Sequence, residues 1–379
     1  SVGAIVGDVI DAATGRGVGG AIVTIRSKDG GRSQVRRADS QGRYYFLGLT
    51  GGDYAIVASR DGYLDGAFGR LRPEGDAVPV PVTGGRVTGG ARIEVWRPGV
   101  LEGRVVDEGD DPVVAARVWA YRRAVDNGRV TYVAATSTFT DDRGAFRLSG
   151  LAPSEYLVAY VRQRVLMPAS TAEAVAATGS ATGPTVFLAA ISGPPSRSGL
   201  VPEFPDTTGR VFELNATAPA AHTSSGRPLD YPTTFYPGAN TAATAQLVTI
   251  DAGREHAGLL LQIRPVETGR LEGAVVGETG PVAGIVVRLL AEGETDAMLG
   301  LERGVTITDD AGQFSILLRE VGERHVLGLV GVDGERGGRD VGEDRRSIVQ
   351  VEAVLPSVHL VVVAEEEVEV AVAVHVPGV

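Results

Sequence analysis

The stretch DSQGRYYFLGL, residues 39–49, joins a polar Asp-x-x-Gly turn to an aromatic-rich strand. The same order of turn, glycine and aromatic residue returns in DDRGAFRLSGL, residues 141–151, and in DDAGQFSILL, residues 309–318. A pattern that recurs at such intervals indicates one structural unit built several times along a chain. The repeat therefore predicts tandem copies of a single β-rich domain.

Alternating strands surround each copy of the turn. The opening strands are AIVGDVID (4–11), VLEGRVVD (100–107) and RLEGAVVG (270–277), and strands headed by GDYAIVAS (52–59), SEYLVAYV (154–161) and ERHVLGLV (323–330) follow the turns. A period of two places alternate side chains on one buried face, as the sheets of a β-sandwich require. The aspartates that begin the turns, Asp39, Asp141 and Asp309, are expected to accept bonds from nearby backbone N–H groups.

The closing strands give the domain boundaries. Pro98 and Pro265 end two matching segments, and proline lacks the N–H that a central strand donates. The sequence predicts an all-β protein of three tandem immunoglobulin-like or prealbumin-like sandwiches, at 1–98, 99–268 and 269–367, with an extra strand within 368–379. The alternation stops between about 164 and 230, where a Pro/Gly/Ala-rich insertion in the second domain is expected to form a long loop.

The repeated pattern resembles the carboxypeptidase regulatory-like domain, a prealbumin-like β-sandwich. The first copy carries the resemblance at these positions: Ile5, Gly7, Val9, Asp11, Thr14, Gly15, Ala21, Asp39, Gly42, Phe46 and Tyr54. The later copies keep Gly103, Asp141, Gly144, Phe146 and Tyr156, and then Gly273, Asp309, Gly312 and Phe314, whereas His325 replaces the tyrosine of the third copy. Residues 231–265 are also similar to multi-module secreted proteins of Acidobacteria. The resemblance implies a fold and no particular activity.

Composition excludes several classes of function. The 379 residues include 52 glycines and 20 prolines, which suits short strands joined by tight turns. A net charge of -11 argues against nucleic acid or an anionic membrane as partner. Without cysteine there is no disulfide framework and no thiolate chemistry. No apolar run reaches the roughly 18 to 20 residues that span a bilayer, so we expect a soluble protein without membrane insertion.

The motifs in the sequence do not match those of catalytic or cofactor sites, so we expect a protein that is not an enzyme and binds no cofactor. GRGVGG (15–20) fits G-x-G-x-x-G, but the residues after it alternate as a strand where a dinucleotide site needs a helix. The five histidines lack the H-E-x-x-H spacing of a zinc site, and no G-x-S-x-G sequence is present.

Three small sites are candidates for binding or modification. Asp107, Asp110 and Asp111 share one turn, which is either a calcium site or a solvated turn. Asn215 begins an N-x-[ST] triplet in the insertion and is a glycosylation candidate. The aromatic residues Tyr231, Phe235 and Tyr236 either form a stacking platform for a surface glycan or pack the long loop onto the sandwich.

An alternating strand follows the third copy and begins no complete fourth one. Its apolar positions, which we expect to make subunit contacts, are Val368, Val370, Val372, Val374 and Val376. A lone strand needs a sheet edge, which is either that of its own third domain or that of another subunit. Strand addition between subunits would give an open homopolymer. Alternatively, the segment is a linker in a longer array.

These expectations favour a secreted, non-enzymatic structural protein, the subunit of an extracellular filament or cell-surface assembly. Two alternatives stay open, a carbohydrate-binding or adhesion module and an accessory region of a larger secreted enzyme.

Overall fold

The computed structural model describes residues 2–28, 30, 33–126, 128–161, 165–166, 201–206, 209–213, 221–222, 228–267, 269–277, 280–281, 286–291, 304–318, 325–330, 354–355, 358–359, 362–363 and 368–371. Within these ranges the protein is all-β, with several sheets, one 3-10 turn at Ala242–Thr244 and no α-helix. The predicted fold class is therefore confirmed.

The strands fall into three groups along the chain. The first group comprises β1 (Gly3–Asp11), β2 (Ile22–Ser27), β3 (Gln34–Arg37), β4 (Arg43–Leu49), β5 (Gly52–Ser59), β6 (Gly66–Ala67), β7 (Val80–Val82), β8 (Val87–Thr88) and β9 (Ile93–Val95). The second comprises β10 (Gly99–Val106), β11 (Arg117–Asp126), β12 (Arg129–Phe139), β13 (Ala145–Leu151), β14 (Ser154–Tyr160), β15 (Val165–Leu166), β16 (Val201–Asp206), β17 (Gly209–Glu213), β18 (Ala221–His222), β19 (Pro228–Asp230), β20 (Thr234–Phe235), β21 (Val248–Ile250), β22 (Glu255–Gln262) and β23 (Val266–Glu267). The third comprises β24 (Gly269–Gly277), β25 (Gly280–Pro281), β26 (Val286–Ala291), β27 (Gly304–Ile307), β28 (Gln313–Leu318), β29 (His325–Val330), β30 (Val354–Leu355), β31 (Val358–His359), β32 (Val362–Val363) and β33 (Val368–Ala371).

Two sheets of the first group enclose one core, and we call residues 3–95 the first sandwich. In one sheet β1 pairs with β4 on one side and with β8 and β9 on the other. The second sheet has the order β3-β2-β5-β6, with β7 also paired to β5. Side chains from both sheets meet in a cluster that includes Ile5, Phe46, Ile25, Ile56 and Ile93, which are almost fully buried.

The second sandwich, built from β10–β14 and β20–β22, repeats this plan. The sheet β13-β10-β22 faces the sheet β12-β11-β14-β20, in which β21 also pairs with β14. The core between them includes Leu101, Phe146, Leu148 and Tyr156. A smaller apolar cluster around Tyr121 and Leu157 forms on the other face of the second sheet. This sheet therefore buries apolar side chains on both faces, and each face needs a cover.

A third pair of sheets follows. One has β24 between β28 and β33, with β25 also paired to β24, and the other has the order β15-β27-β26-β29-β32. Val275, Phe314 and Ile316 of the first sheet and Val287 of the second are buried. The domain boundaries at 98/99, 268/269 and 367/368 stay predictions.

The insertion differs from the long loop that the sequence predicts. Where residues 164–230 are described, they form strands: β16 and β17 make an antiparallel hairpin, β18 pairs with β19, and β15 joins β27. The expectation of a loop was wrong for these strands, because short segments interrupted by proline and glycine give too few alternating positions to reveal a strand.

The Asp-x-x-Gly turn has the same hydrogen bonds in all three copies. Oδ1 of Asp39 accepts the backbone N–H of Gln41 and of Arg43, both at 2.9 Å. Asp141 accepts from Arg143 and Ala145 at 2.9 and 2.8 Å. Asp309 accepts from Ala311 and Gln313 at 2.9 and 2.8 Å. The predicted capping role of the three aspartates is confirmed.

The glycine of each turn connects the hairpin to the opening strand. The carbonyls of Gly42, Gly144 and Gly312 accept the N–H of Val9, Val105 and Val275, each at 2.8 Å. All three glycines have a positive φ, between +69° and +82°. A Cβ on Gly42 would lie 2.3 Å from the carbonyl oxygen of Val9, and one on Gly144 would lie 2.5 Å from that of Val105. Both the backbone conformation and the close approach therefore require glycine.

We predict that Gly42→Ala destabilises the first sandwich more than Gly48→Ala does. Both glycines have a positive φ, but a Cβ on Gly48 meets no atom within 4 Å, so only Gly42→Ala adds a clash with backbone. We expect a loss of about 1 kcal/mol for Gly48→Ala from the left-handed conformation, and at least about 2 kcal/mol for Gly42→Ala. Urea unfolding measures both.

Gly144 and Gly150 form the same pair in the second sandwich, since a Cβ on Gly150 also meets open space. We therefore expect Gly144→Ala to destabilise the second sandwich more than Gly150→Ala does. Equal losses of stability for the two variants of either pair would contradict the geometry.

Candidate functional sites

A buried carboxylate closes the first strand. Asp11, the last residue of β1, is 2% exposed. Its Oδ1 accepts the N–H of Ala13 and of Thr14, at 3.0 and 3.1 Å. Its Oδ2 accepts the hydroxyl of Tyr63 at 3.1 Å and Nε of Arg97 at 3.0 Å. Four donors thus converge on one carboxylate, so its burial costs little.

This network holds Asp11 in its charged form. Burial alone raises the pKa of Asp11, but the hydrogen bonds from Tyr63, from the backbone of Thr14 and from Arg97 lower that pKa below its ordinary value. Hydrogen bonds with Tyr63 and with Asp11 raise the pKa of Arg97. The guanidinium of Arg97 also lies 5.5 Å from the centre of the Tyr63 ring. The arrangement is an ion pair in which Tyr63 and Arg97 both donate to one carboxylate, and it links the end of β1 to the segment that follows β9.

Arg97 also lies at the joint between the two sandwiches. Only Trp96, Arg97 and Pro98 separate the end of β9 from the start of β10. The carbonyl of Arg97 accepts the N–H of Gly253 at 3.0 Å, while its side chain binds Asp11. A second ion pair crosses the joint, with Arg122 of β11 at 2.5 Å from Glu74. The joint is therefore short and bonded on both sides.

The acidic turn at 107–111 is another capped turn. Oδ1 of Asp107 accepts the N–H of Gly109 and of Asp111, both at 2.9 Å, and Asp110 takes a positive φ of +66°. The side-chain amide of Gln262 donates to Oδ1 of Asp110 at 3.1 Å. In the part of the chain that the structure describes, no three acidic or histidine side chains are grouped as metal ligands. The hydrogen bonds give this turn a structural role, and the calcium site stays a prediction.

The aromatic residues at 231–236 do not form one exposed platform. Phe235 is 2% exposed, and its strand β20 pairs with β14. Of the two alternatives, the structure shows packing of the loop onto the sandwich for Phe235, and the platform hypothesis was wrong for this residue. Tyr231 and Tyr236 are half-buried against the core, and the hydroxyl of Tyr231 donates to Glu108 at 3.1 Å. The fold-back that buries Phe235 joins residues about 75 positions apart, which no local pattern reveals.

The structure describes only some of the remaining residues that the sequence predicts as sites. Asn215, Val372, Val374 and Val376 lie outside the described residues. Val368 and Val370 belong to β33, which pairs antiparallel with β24 of the same chain and places Val370 opposite Val275. For residues 368–371, the structure thus has the first of the two alternatives, an edge of the third pair of sheets. Whether these residues also contact another subunit stays a prediction.

Sequence reasoning missed Tyr63 and Arg97, because their partner Asp11 lies 52 and 86 positions away. It also missed the role of the tyrosine in the repeat. Tyr54 donates its hydroxyl to the carbonyl of Thr50, and Tyr156 donates to that of Ala152, at 3.0 and 2.7 Å. Burial raises the pKa of Tyr156 to about 12, so this hydroxyl stays protonated. In both copies the tyrosine lies four residues after the residue whose carbonyl accepts its hydroxyl, and this equal spacing was the signal available in the sequence.

No helix within the described ranges is long and apolar enough to cross a membrane.

Comparison with known families gives a match within the first repeat. Residues 4–83 match the family model of the carboxypeptidase regulatory-like domain, which confirms the resemblance for this part of the chain. The resemblance of the later copies and the similarity to proteins of Acidobacteria stay predictions. No curated protein matches the chain.

Solved structures that resemble this chain share little sequence with it. The TIE protein of Bacillus anthracis is 14% identical with a TM-score of 0.24, and the match covers 96% of this chain and 51% of that protein, so this chain spans about half its length. The minor pilin GBS52 of Streptococcus agalactiae is 14% identical with a TM-score of 0.29, covering 69% of this chain and 96% of the pilin. A streptococcal ancillary pilin is 9% identical with a TM-score of 0.21, covering 96% and 99%. Such low scores carry no argument about function.

We predict that Asp11→Asn destabilises the first sandwich by about 2 kcal/mol at neutral pH, because the amide loses the negative charge that pairs with Arg97 and keeps only one acceptor oxygen for four donors. Since the folded-state pKa of Asp11 is lowered, its contribution is present above about pH 4 and is lost as the pH falls through the folded-state pKa. The difference in the free energy of unfolding between the variant and the wild type should therefore become smaller in acid. Hydrogen–deuterium exchange of peptides from β1 and β9 measures it.

Asp8→Asn is the matched control, because Asp8 pairs with Arg92 at 3.1 Å on the surface and should lose less than about 0.5 kcal/mol. Equal losses for the two variants would contradict the structural role of Asp11.

Proposed function

We propose that this chain is a non-enzymatic structural protein of the cell exterior, the subunit of an extracellular filament or cell-surface assembly. Its tandem β-sandwich domains at 1–98, 99–268 and 269–367 form the body of the subunit, and the segment 368–376 supplies contacts between subunits. The insertion at about 164–230 lies in the sequence of the second domain, and its strand β15 joins a sheet of the third group of strands.

The joint between the first two sandwiches carries this proposal. A binding module on a flexible tether needs a linker of several small or polar residues, whereas only three residues separate β9 from β10 here. Arg97 is bonded on both sides of that joint, and the pair of Arg122 with Glu74 adds a second contact. A short bonded joint transmits force and keeps neighbouring domains aligned, which is what a filament subunit needs.

The shifted pKa values support a structural role. Asp11, Asp39 and Asp141 have lowered pKa values because they accept hydrogen bonds in capped turns. Tyr44 and Tyr156 have raised pKa values because they are buried, and both donate to backbone carbonyls, Tyr44 to Ala91 at 2.6 Å. An active site places groups with shifted pKa values beside a substrate cavity, whereas these five side chains form hydrogen bonds that stabilise the fold.

The last described strand supports contact between subunits. β33 and β28 both pair with Ala274, and therefore lie on opposite sides of β24. The other side of β33 pairs with no strand among the described residues, so this edge offers free backbone donors and acceptors. Two modes of contact follow: a strand from another chain adds to the sheet at this edge, or β33 leaves its own sheet and the segment 368–376 pairs with the sheet of a neighbour.

We predict that the full chain assembles with rising concentration and that Val372→Asp combined with Val374→Asp abolishes assembly, since two buried charges oppose a strand contact. Sedimentation velocity and negative-stain microscopy measure the size and shape of the particles. The control is Val125→Asp, which changes a valine that is 67% exposed on the second sandwich and should leave assembly intact. A wild-type chain that stays monomeric at every concentration would refute the proposed function.

An engineered cysteine pair separates the two modes of contact. Ala274 and Ala371 are cross-strand partners, and the chain contains no cysteine, so Ala274→Cys with Ala371→Cys forms one defined disulfide. If β33 stays on its own sheet, the oxidised variant runs as a monomer in a denaturing gel. If strands are exchanged, it runs as covalent multimers. Each single-cysteine variant is the control.

A further inference from the structure

The outward face of one sheet of the first sandwich is apolar and exposed. Four side chains lie on this face: Val6 (43% exposed), Tyr45 (58%), Leu47 (59%) and Val87 (69%). The strand register makes them neighbours, because Val6 is opposite Tyr45 and Ala4 lies between Leu47 and Val87. We call these four residues the β4 face. An exposed cluster of this kind on a soluble protein marks a contact surface.

The second sandwich shows that the fold does not require an apolar surface there. Glu102 and Arg147 occupy the positions of Val6 and Tyr45 and are opposite each other in the same register. Glu255 occupies the position of Val87, and Arg147 forms ion pairs with both glutamates. Ser149 stands in place of Leu47. The same sheet position is therefore charged in one sandwich and apolar in the other.

The strand that carries the β4 face is also an edge strand. β4 pairs only with β1 among the described residues, so alternate N–H and C=O groups along its seven residues have no partner strand. On the matching edge strand of the second sandwich, β13, the exposed charge of Arg147 opposes the addition of another strand. β4 lacks that protection at Tyr45 and Leu47.

Charge indicates what covers the β4 face. Residues 1–98 contain 13 Lys and Arg and 10 Asp and Glu, a net charge of +3, whereas residues 269–379 contain 9 Arg and 20 Asp and Glu, a net charge of -11. Arg43 and Arg92 are exposed at the end of the face where β4 begins, and within their own copy they pair with Asp39 and Asp8. The segment 365–376, EEEVEVAVAVHV, combines four glutamates at its start with alternating valines. Its apolar pattern complements the β4 face, and its negative charge complements the net positive charge of residues 1–98.

We propose that the β4 edge and face of one copy bind the segment 365–376 of a second copy, by strand addition. This inference rests on the proposed function and names the surface that receives the contact. Charge matching favours a parallel orientation, with the glutamates beside Arg43 and Arg92 and the valines over Tyr45 and Leu47. The two surfaces are different, so the contact is heterologous, and each added copy offers a new β4 edge or a new segment.

A graft of the second sandwich's own residues tests the β4 face. The graft variant carries Val6→Glu, Tyr45→Arg, Leu47→Ser and Val87→Glu, residues that the same fold accommodates at these positions. We expect the association constant to fall at least about tenfold while the thermal unfolding midpoint stays close to that of the wild type. The control, Val125→Glu with Val130→Arg, changes an exposed cross-strand pair of the second sandwich and should associate like the wild type.

A second variant tests the charge of the segment without touching the β4 face. Replacing Glu365, Glu366 and Glu367 by glutamine should weaken association about tenfold at low ionic strength. It should also reduce the dependence of association on salt, because fewer charged pairs are left to screen. An unchanged salt dependence overturns the charge match.

Mixing two variants identifies the occupant of the β4 face. The graft variant keeps an intact segment, and the variant with Val372→Asp and Val374→Asp keeps an intact β4 face, so their mixture has one working contact and should stop at a two-chain complex. Suppose that the variant with Val372→Asp and Val374→Asp forms dimers by itself and that the graft variant cannot. The β4 face of one copy then binds the β4 face of another copy, and the inference is wrong. If the graft variant assembles like the wild type, the inference fails while the proposed function stands. A monomeric wild type refutes both.

Discussion

The contact between the turn glycine and the opening strand is the constraint on which the rest of the structure depends. The carbonyl of Gly42 accepts the N–H of Val9, and a side chain at Gly42 would collide with the carbonyl of the same valine. This bond fixes the hairpin beside β1, and the register of β1 with β4 then places Ile5 and Phe46 in the core. Gly144 and Gly312 repeat the bond, so each copy of the turn sets its own opening strand in the same way.

Local features of this arrangement could be predicted from the sequence, and distant ones could not. The opening strands and the strands after the turns were predicted because alternation and turn residues are read within about ten positions. The capped turns at Asp39, Asp141 and Asp309 were predicted for the same reason. The burial of Phe235 and the partners of Asp11 depend on which strands meet across the fold, and a single sequence does not contain that information.

The first two sandwiches share an interior plan and differ on their surfaces. Asp11 and Asp107 occupy equivalent positions after the opening strand, and both cap a turn. Asp11 is then buried under Tyr63 and Arg97, whereas Asp107 stays on the surface beside Gln262. The β4 face and its charged counterpart around Arg147 differ in the same way. Packing fixes the inner faces of a sandwich, and the outer faces are free to diverge toward contact or solvation.

This division between interior and surface is the reason why we propose assembly and not catalysis for the chain. Catalysis needs several groups held at fixed distances around a substrate, whereas Asp11, Asp39 and Tyr156, whose pKa values are shifted, are already bonded within turns or to a backbone carbonyl. Assembly needs only one complementary pair of surfaces on a body stiff enough to align them. The three-residue joint at 96–98 supplies stiffness between the first two sandwiches. A basic first sandwich and an acidic last third place opposite charges at opposite ends of the chain sequence, which in the proposed assembly would favour a head-to-tail order over contacts between like ends.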